Sequence, residues 1–147
     1  MPKQARKQIT LYSDGSSLGN PGPGGYGGIL EYQGHTKEYS GADPHTTNNR
    51  MELQGVIEGL KRLKEPCDVE VISDSSYVIK AINEWLEGWV RKNFAKVKNV
   101  DLWQDYLEAA APHNIRGTWV RGHNGHPQNE RCDTLARQEA EKIKKDL

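Results

Sequence analysis

Two stretches of this chain end alike: Ile9-Thr-Leu-Tyr-Ser-Asp14 and Val69-Glu-Val-Ile-Ser-Asp74. Each is a strand-like run that delivers an aspartate where it stops, followed by a small residue. Strands ending side by side would bring those carboxylates within a few ångströms of each other, an arrangement that costs energy unless a cation lies between them. Carboxylates with few nitrogen or sulfur donors suit a hard divalent ion, Mg²⁺ or Mn²⁺. Two further acids are placed to join them. Glu52 lies about one turn into a helix that follows Thr46-Thr-Asn-Asn-Arg50, and Asp133 lies early in a helix that follows His123-Asn-Gly-His126-Pro-Gln-Asn-Glu130-Arg-Cys132. Two ions about 3.5–4 Å apart can hold the attacking water and the leaving oxygen of a phosphodiester. His123, set beside Gly122, can move and can exchange protons near neutral pH. Zinc is a rival for this region, since His123, His126 and Cys132 are three possible donors, but a fourth is missing and the spacing matches no common zinc motif.

A second constellation is cationic. Residues 88–98 hold four cations (Arg91, Lys92, Lys96, Lys98), no acids, and the aromatics Trp89 and Phe94. Cations interleaved with aromatic rings neutralise phosphates and stack on sugar or base. Trp85, at helical spacing from Ala81 and Ile82, reads as core instead. The letters G-x-G-x-x-G also occur, in Gly22-Pro-Gly-Gly-Tyr-Gly27. A dinucleotide fingerprint needs a helix to start there, and the next residues are strand-like, so that match is accidental.

These residues must be positioned by a definite set of elements. Residues 9–13 form a strand, 15–25 a Gly- and Pro-dense loop, and 26–32 and 36–40 two more strands, the three making an antiparallel meander. Thr46 or Thr47 caps a helix running to about 64, with Met51, Val56, Leu60 and Leu63 on one face. A strand over 69–73 and a helix over 75–86 come next. After the basic segment come a helix opened by Asp101 and running to 111, a strand over 115–120, and a last helix from Pro127 to about 145. Three strands followed by alternating helix and strand make a mixed sheet with helices packed on it.

At 147 residues the chain reads as one domain, 1–147, with a basic tail over 1–7 and a basic protrusion over 88–98. No run approaches the roughly 20 apolar residues of a membrane span, and no apolar segment follows the basic N-terminus, so neither a membrane anchor nor a signal peptide is expected. Cys67 and Cys132 form no CxxC pair and read as reduced thiols of a cytoplasmic protein. The net charge of zero argues against a protein that coats nucleic acid indiscriminately. Nothing points to an interface between copies, so a monomer is expected.

Six strings, in order, resemble type 1 bacterial ribonuclease H: Ser13-Asp-Gly-Ser16, Leu18-Gly-Asn-Pro-Gly-Pro-Gly-Gly-Tyr-Gly27, Thr46-Thr-Asn-Asn-Arg-Met-Glu-Leu53, Ser73-Asp-Ser75, Val97-Lys-Asn-Val-Asp-Leu-Trp103 and Gly122-His-Asn-Gly-His-Pro-Gln-Asn-Glu-Arg-Cys-Asp133. The resemblance spans about residues 8–139. It implies an α/β ribonuclease H-like fold: a five-stranded mixed sheet, three antiparallel strands then two parallel, flanked by helices, with the Asp14 and Asp74 strands side by side. It implies an endoribonuclease that hydrolyses the RNA strand of RNA–DNA hybrids to 5′-phosphate and 3′-hydroxyl ends, largely without sequence preference. Asp14, Glu52, Asp74 and Asp133 would hold two Mg²⁺ ions, for which Mn²⁺ can substitute. His123 would move protons or help product leave. Ser17, Asn20, Asn48, Asn49 and Ser76 would meet the RNA strand, whose 2′-hydroxyl both donates and accepts. Trp89, Arg91, Lys92 and Phe94, in the protrusion, would meet the other strand.

The chain departs from the family pattern in three ways. Ser76 stands where Gln is frequent, Phe94 where Trp is common, and the protrusion is short. No separate N-terminal hybrid-binding domain is expected. Two other readings fit an acid-rich α/β domain: a strand-transfer nuclease of the same fold, marked by a different acidic set, and a hybrid-binding module lacking one of the four acids. All four are present.

Overall fold

Alternation of apolar and polar side chains builds the two central strands. In Lys7–Ser17 (β1) the buried residues include Ile9, Leu11 and Ser13, and in Cys67–Ser73 (β4) they are Cys67, Val69, Val71 and Ser73. That is the two-residue period of a pleated strand. The computed structural model describes residues 6–122 and 126–146. Gly22–Tyr32 (β2) and His35–Thr46 (β3) complete the meander, and Asn114–Trp119 (β5) closes a five-stranded sheet of order β3-β2-β1-β4-β5. β1 pairs antiparallel with β2 and parallel with β4, β2 pairs antiparallel with β3, and β4 pairs parallel with β5. The expected mixed sheet is the one the chain forms.

Helices cover both faces. Asn48–Lys61 (α1) is capped by Thr47, whose Oγ1 accepts from the Arg50 N–H (3.3 Å). Its buried side, including Leu53, Val56, Ile57 and Leu60, packs with Leu11, Val69 and Val71. Pro127–Lys145 (α5), with Pro127 in its first turn, lies on the opposite face. Successive strand residues point to opposite faces. Accordingly, a Cβ on Gly24 would press on Met51 of α1, and one on Gly25 would collide with Ala136 O of α5.

Those contacts correct the expected loop over 15–25. β1 continues to Ser17 and β2 begins at Gly22, because the glycines let α5 lie directly on the sheet. β3 likewise runs to Thr46 rather than ending near residue 40; it is an edge strand, where Pro44 removes no ladder bond that the sheet needs. Val100–Ala110 (α4) packs on α1 and opens one residue before Asp101, with Asn99 at the N-cap position in the left-handed region (φ 60°) and making no side-chain cap.

The helix expected over 75–86 is a composite. Ser76–Lys80 (α2) passes through one π-helical turn, Ala81–Trp85, into Leu86–Arg91 (α3), with the Leu86 N–H donating to Ala81 O. The extra residue in that turn shifts the helix face. Trp85, expected in the core, is 40% exposed, while Ala81 and Leu86 take the inside positions. Beneath this bend Trp103 is fully buried, donating its indole N–H to Tyr77 Oη (2.9 Å) and meeting Trp89 edge-on at 5.5 Å between centroids.

Candidate metal centre and nucleic-acid interface

The parallel register of β1 and β4 pairs Ile9 with Val69 and ends at Tyr12 with Ile72. Two residues further along each strand stand Asp14 and Asp74, so the twin endings are neighbours in space. One detail differs from expectation. Asp74 follows the end of β4, but Asp14 lies inside β1, which parts from β4 and continues along β2 with Asp14 opposite Gly27. Glu52 comes to them from the first turns of α1. Gly15 makes that approach possible, since a Cβ there would collide with the Glu52 backbone.

Asp14, Glu52 and Asp74 each offer a carboxylate oxygen within 4.8 Å of the others. Asp14 Oδ1 accepts from the Gly15 N–H (3.0 Å), which fixes its orientation. Glu52 Oε2 is buried and has no hydrogen-bond partner among the described residues. Burial first, and the Asp74 charge second, push Asp14 from 3.8 to about 7. Burial and the Asp14 charge likewise push Glu52 well above the usual carboxylate range. Three converging carboxylates, one with an orphaned buried oxygen, fit a divalent cation through hard oxygen donors. Asp133 lies outside this triplet. Its Oδ2 is 3.1 Å from Arg137 Nη2, yet its charge still adds to the upward push on Asp14. His123 lies outside the described residues.

These shifts carry a stability prediction. A raised carboxyl pKa means that the folded protein binds more protons than the unfolded chain between about 4 and 7. Without metal, stability from Asp14 is therefore full below the unfolded pKa and is lost as pH rises through 7. Asp14→Asn removes that loss. Above pH 7 the metal-free variant should exceed wild type by on the order of 1–3 kcal/mol, and the difference should shrink to near zero at pH 4. Thermal unfolding of both proteins in EDTA across this range checks it. A gain that does not vary with pH would contradict the origin assigned to it.

The residues expected to meet substrate fall into three places. Asn20, Asn48 and Asn49 line one groove together with Thr47, Lys98 and Asn99. Ser17 borders it through Asn48, whose Oδ1 accepts from the Ser17 N–H (2.7 Å). Ser76, exposed at the start of α2, lines a different groove with Lys80, Asn83 and Trp119. Arg91 and Lys92 are exposed at the end of α3, whereas Trp89 and Phe94 are half-buried and pack against the core. Trp85, tilted against Trp89 at 5.9 Å between centroids, is the more exposed ring. Sequence reasoning assigns no substrate contact to Thr47, Asn99 or Trp119, which line these grooves, and it buries Trp85, whose ring is exposed. Trp119 could have been found by the rule that singled out the aspartates, for it too ends a strand at the same edge of the sheet.

The segment after α3 is tightly wound. Asn93, Phe94, Lys96 and Asn99 all have φ between 50° and 62°, a region that side-chain-bearing residues seldom occupy. The Phe94 N–H donates to Trp89 O (2.8 Å). Half-buried Phe94 and Val97 hold this winding against the core, which leaves Lys92, Lys96 and Lys98 on the outside.

A family model described as RNase H matches residues 6–141. The chain is 79% identical over its full length, and over the full length of its relative, to a ribonuclease H of Sulfurovum sp. (strain NBC37-1). It is 57% identical over 136 residues to ribonuclease HI of Helicobacter pylori, covering 92% of this chain and 95% of that one. Among solved structures it resembles LC9-RNase H1, a type 1 RNase H with the type 2 active-site motif. That match has a TM-score of 0.87 and 31% identity, covering 97% of this chain and 76% of the other. The fold is also that of LC11-RNase H1 in complex with RNA/DNA hybrid, with a TM-score of 0.69 at 24% identity over 91% of this chain and 97% of the other.

Proposed function

The chain belongs to the RNase H family, and on that footing we propose that it is a metal-dependent endoribonuclease acting on the RNA strand of RNA–DNA hybrids. It leaves 5′-phosphate and 3′-hydroxyl ends. The observation that carries the reading is the meeting of Asp14, Glu52 and Asp74 at one end of the sheet, with a buried carboxylate oxygen left without a partner. With Asp133 from α5 these are the residues that would hold two divalent ions, Mg²⁺ ordinarily and Mn²⁺ in its place. When bound, such ions ionise a water near neutral pH and neutralise charge on the phosphodiester under attack.

The chain's own groups do the rest. The Gly15 N–H aims Asp14. Asp14, near 7 in the metal-free protein, gives up its proton to become a ligand, so ion binding strengthens as pH rises through that value. The amide-lined groove of Asn20, Asn48 and Asn49 offers donors and acceptors together, as recognition of a 2′-hydroxyl demands. Ser17 keeps Asn48 in place, and Ser76 gives a second short polar contact. Arg91, Lys92, Lys96 and Lys98 attract the other strand's phosphates, with Trp89 and Phe94 shaping the surface beneath them. None of these contacts requires a particular base, so cutting is largely sequence-independent. His123 moves a proton or assists product release.

The protein works as a monomeric single domain in the cytoplasm. Its two cysteines are buried and unpaired, and no helix among the described residues is long and apolar enough to cross a membrane. The test is a hybrid with labelled RNA, incubated with MgCl₂ or with EDTA. Fragments that a polymerase can extend from their 3′ ends, formed only with Mg²⁺, are the expected result. Equal cutting in EDTA, or 3′-phosphate ends, would sink the proposal.

A further inference from the structure

Trp119, the last residue of β5, leaves half of its large side chain in solvent, at 50% exposure. Its indole N–H donates to the backbone carbonyl oxygen of Asp74 (3.0 Å). The backbone ladder between β4 and β5 ends with Ser73 opposite Trp119 and closes with the Val120 N–H donating to Ser73 O (3.0 Å). The Asp74 carbonyl lies just beyond that last rung, and the indole supplies one more. The indole N–H is thus satisfied by a backbone acceptor while much of the ring stays in solvent.

The residues on either side of Asp74 are held as well. Ser73 Oγ accepts from the Ser75 N–H (3.0 Å), and Ser75 Oγ accepts from the Val78 N–H (3.2 Å) to cap α2. Gly122 lies against the carboxylate itself, where a Cβ would come 2.7 Å from Asp74 Oδ2. Asp74 needs such restraint. It stands past the end of its strand, beside two other carboxyl groups that repel it when they ionise.

From these contacts we infer that Trp119 is a positioning residue for the metal centre: its indole N–H fixes the Asp74 backbone so that the Asp74 carboxylate stays beside those of Asp14 and Glu52. The inference rests on reading those three acids as metal ligands. It assigns Trp119 no contact with substrate, although the groove it lines also holds Ser76 and Lys80, where an exposed ring could stack on a base.

Two opposite substitutions separate the roles. Trp119→Phe keeps a ring and loses the N–H. Trp119→Gln loses the ring and keeps an N–H the same number of bonds from Cβ. Mg²⁺ binding is read without substrate, as the rise in Tm during Mg²⁺ titration, and again as the Mg²⁺ concentration giving half-maximal cleavage. Trp119→Phe should raise both half-points about tenfold, with KM for hybrid unchanged at saturating Mg²⁺, and Trp119→Gln should stay within about twofold of wild type. Circular dichroism checks folding, and Trp119→Leu repeats the first arm if Trp119→Phe is unfolded. Wild-type Mg²⁺ binding by the variants without an N–H overturns the role, as does a Trp119→Gln variant impaired as badly as Trp119→Phe. A raised KM in Trp119→Gln alone would make the ring a stacking surface and also overturn it. A wild-type protein that takes up no Mg²⁺ overturns the metal reading together with the inference, which distinguishes the two failures.

Discussion

Asp14→Asn should slow cleavage of an RNA–DNA hybrid by more than about 100-fold, because losing even a partner that orients a metal ligand commonly costs 10–100-fold. Hybrid affinity should change little. The substitution removes one negative oxygen from the triplet of Asp14, Glu52 and Asp74 but leaves the amide groove and the cations of residues 91–98 intact. Asparagine has nearly the shape of aspartate and can still accept the Gly15 N–H bond that Asp14 accepts. Loss of activity therefore reports on charge and ligation more than on shape. Single-turnover cleavage in Mg²⁺ and fluorescence anisotropy of labelled hybrid in EDTA measure the two quantities. Activity within a few-fold of wild type would remove Asp14 from the metal centre. Lost binding alongside lost activity would mean that the variant disturbs the groove.

Neutralising Arg91, Lys92, Lys96 and Lys98 together should give the opposite separation. If each cation releases about one counterion from the substrate, the slope of log K against log salt becomes shallower by roughly 3–4. Affinity near 0.1 M salt falls by roughly 10²–10³-fold, while turnover at saturating hybrid stays close to wild type. Arg91 and Lys92 are exposed at the end of α3, Lys96 protrudes beyond it, and Lys98 lines the groove that also holds Asn48 and Asn49. Lys98 stands where the protrusion meets the groove that holds Asn48 and Asn49, so its share should be the largest of the four. A slope unchanged from wild type would return the segment to ordinary solvated surface.

How far the sequence discloses this arrangement differs from element to element. The pairing of Asp14 with Asp74 is visible because two runs of the same alternation end in the same residue, and adjacent parallel strands convert equal position into proximity. Glu52 is visible because a capped helix start sets its depth, and Thr47 is the cap. The glycine run over 15–25 misleads. Glycine signals a loop when only neighbours in sequence are considered, but Gly25 is required by a helix more than a hundred residues later. Trp85 misleads for a subtler reason. One π-helical turn rotates everything after it, and no periodicity rule anticipates a single extra residue in a helix. Trp119 is legible in its place but not in its role: it ends a strand as the aspartates do, yet its partner is a backbone carbonyl on another strand, which residue type does not reveal.

The contacts with β5 also bear on how the metal centre is held. Like charges at Asp14, Glu52 and Asp74 destabilise the metal-free fold, and the elements around them, the Gly15 N–H, the α1 N-terminus and the end of β5, hold the geometry against that repulsion. A bound cation relieves it. Stability and activity should therefore rise together on adding Mg²⁺, and part company when one of the three acids is neutralised.

The most direct measurement compares two duplexes of one sequence, differing only in whether the labelled strand is RNA or DNA, at the same Mg²⁺ and enzyme concentrations. Cleavage of the RNA strand in the hybrid, with the all-DNA duplex left intact over the same time, is the expected result. An intact RNA strand at ample enzyme, or equal cutting of both duplexes, would contradict it.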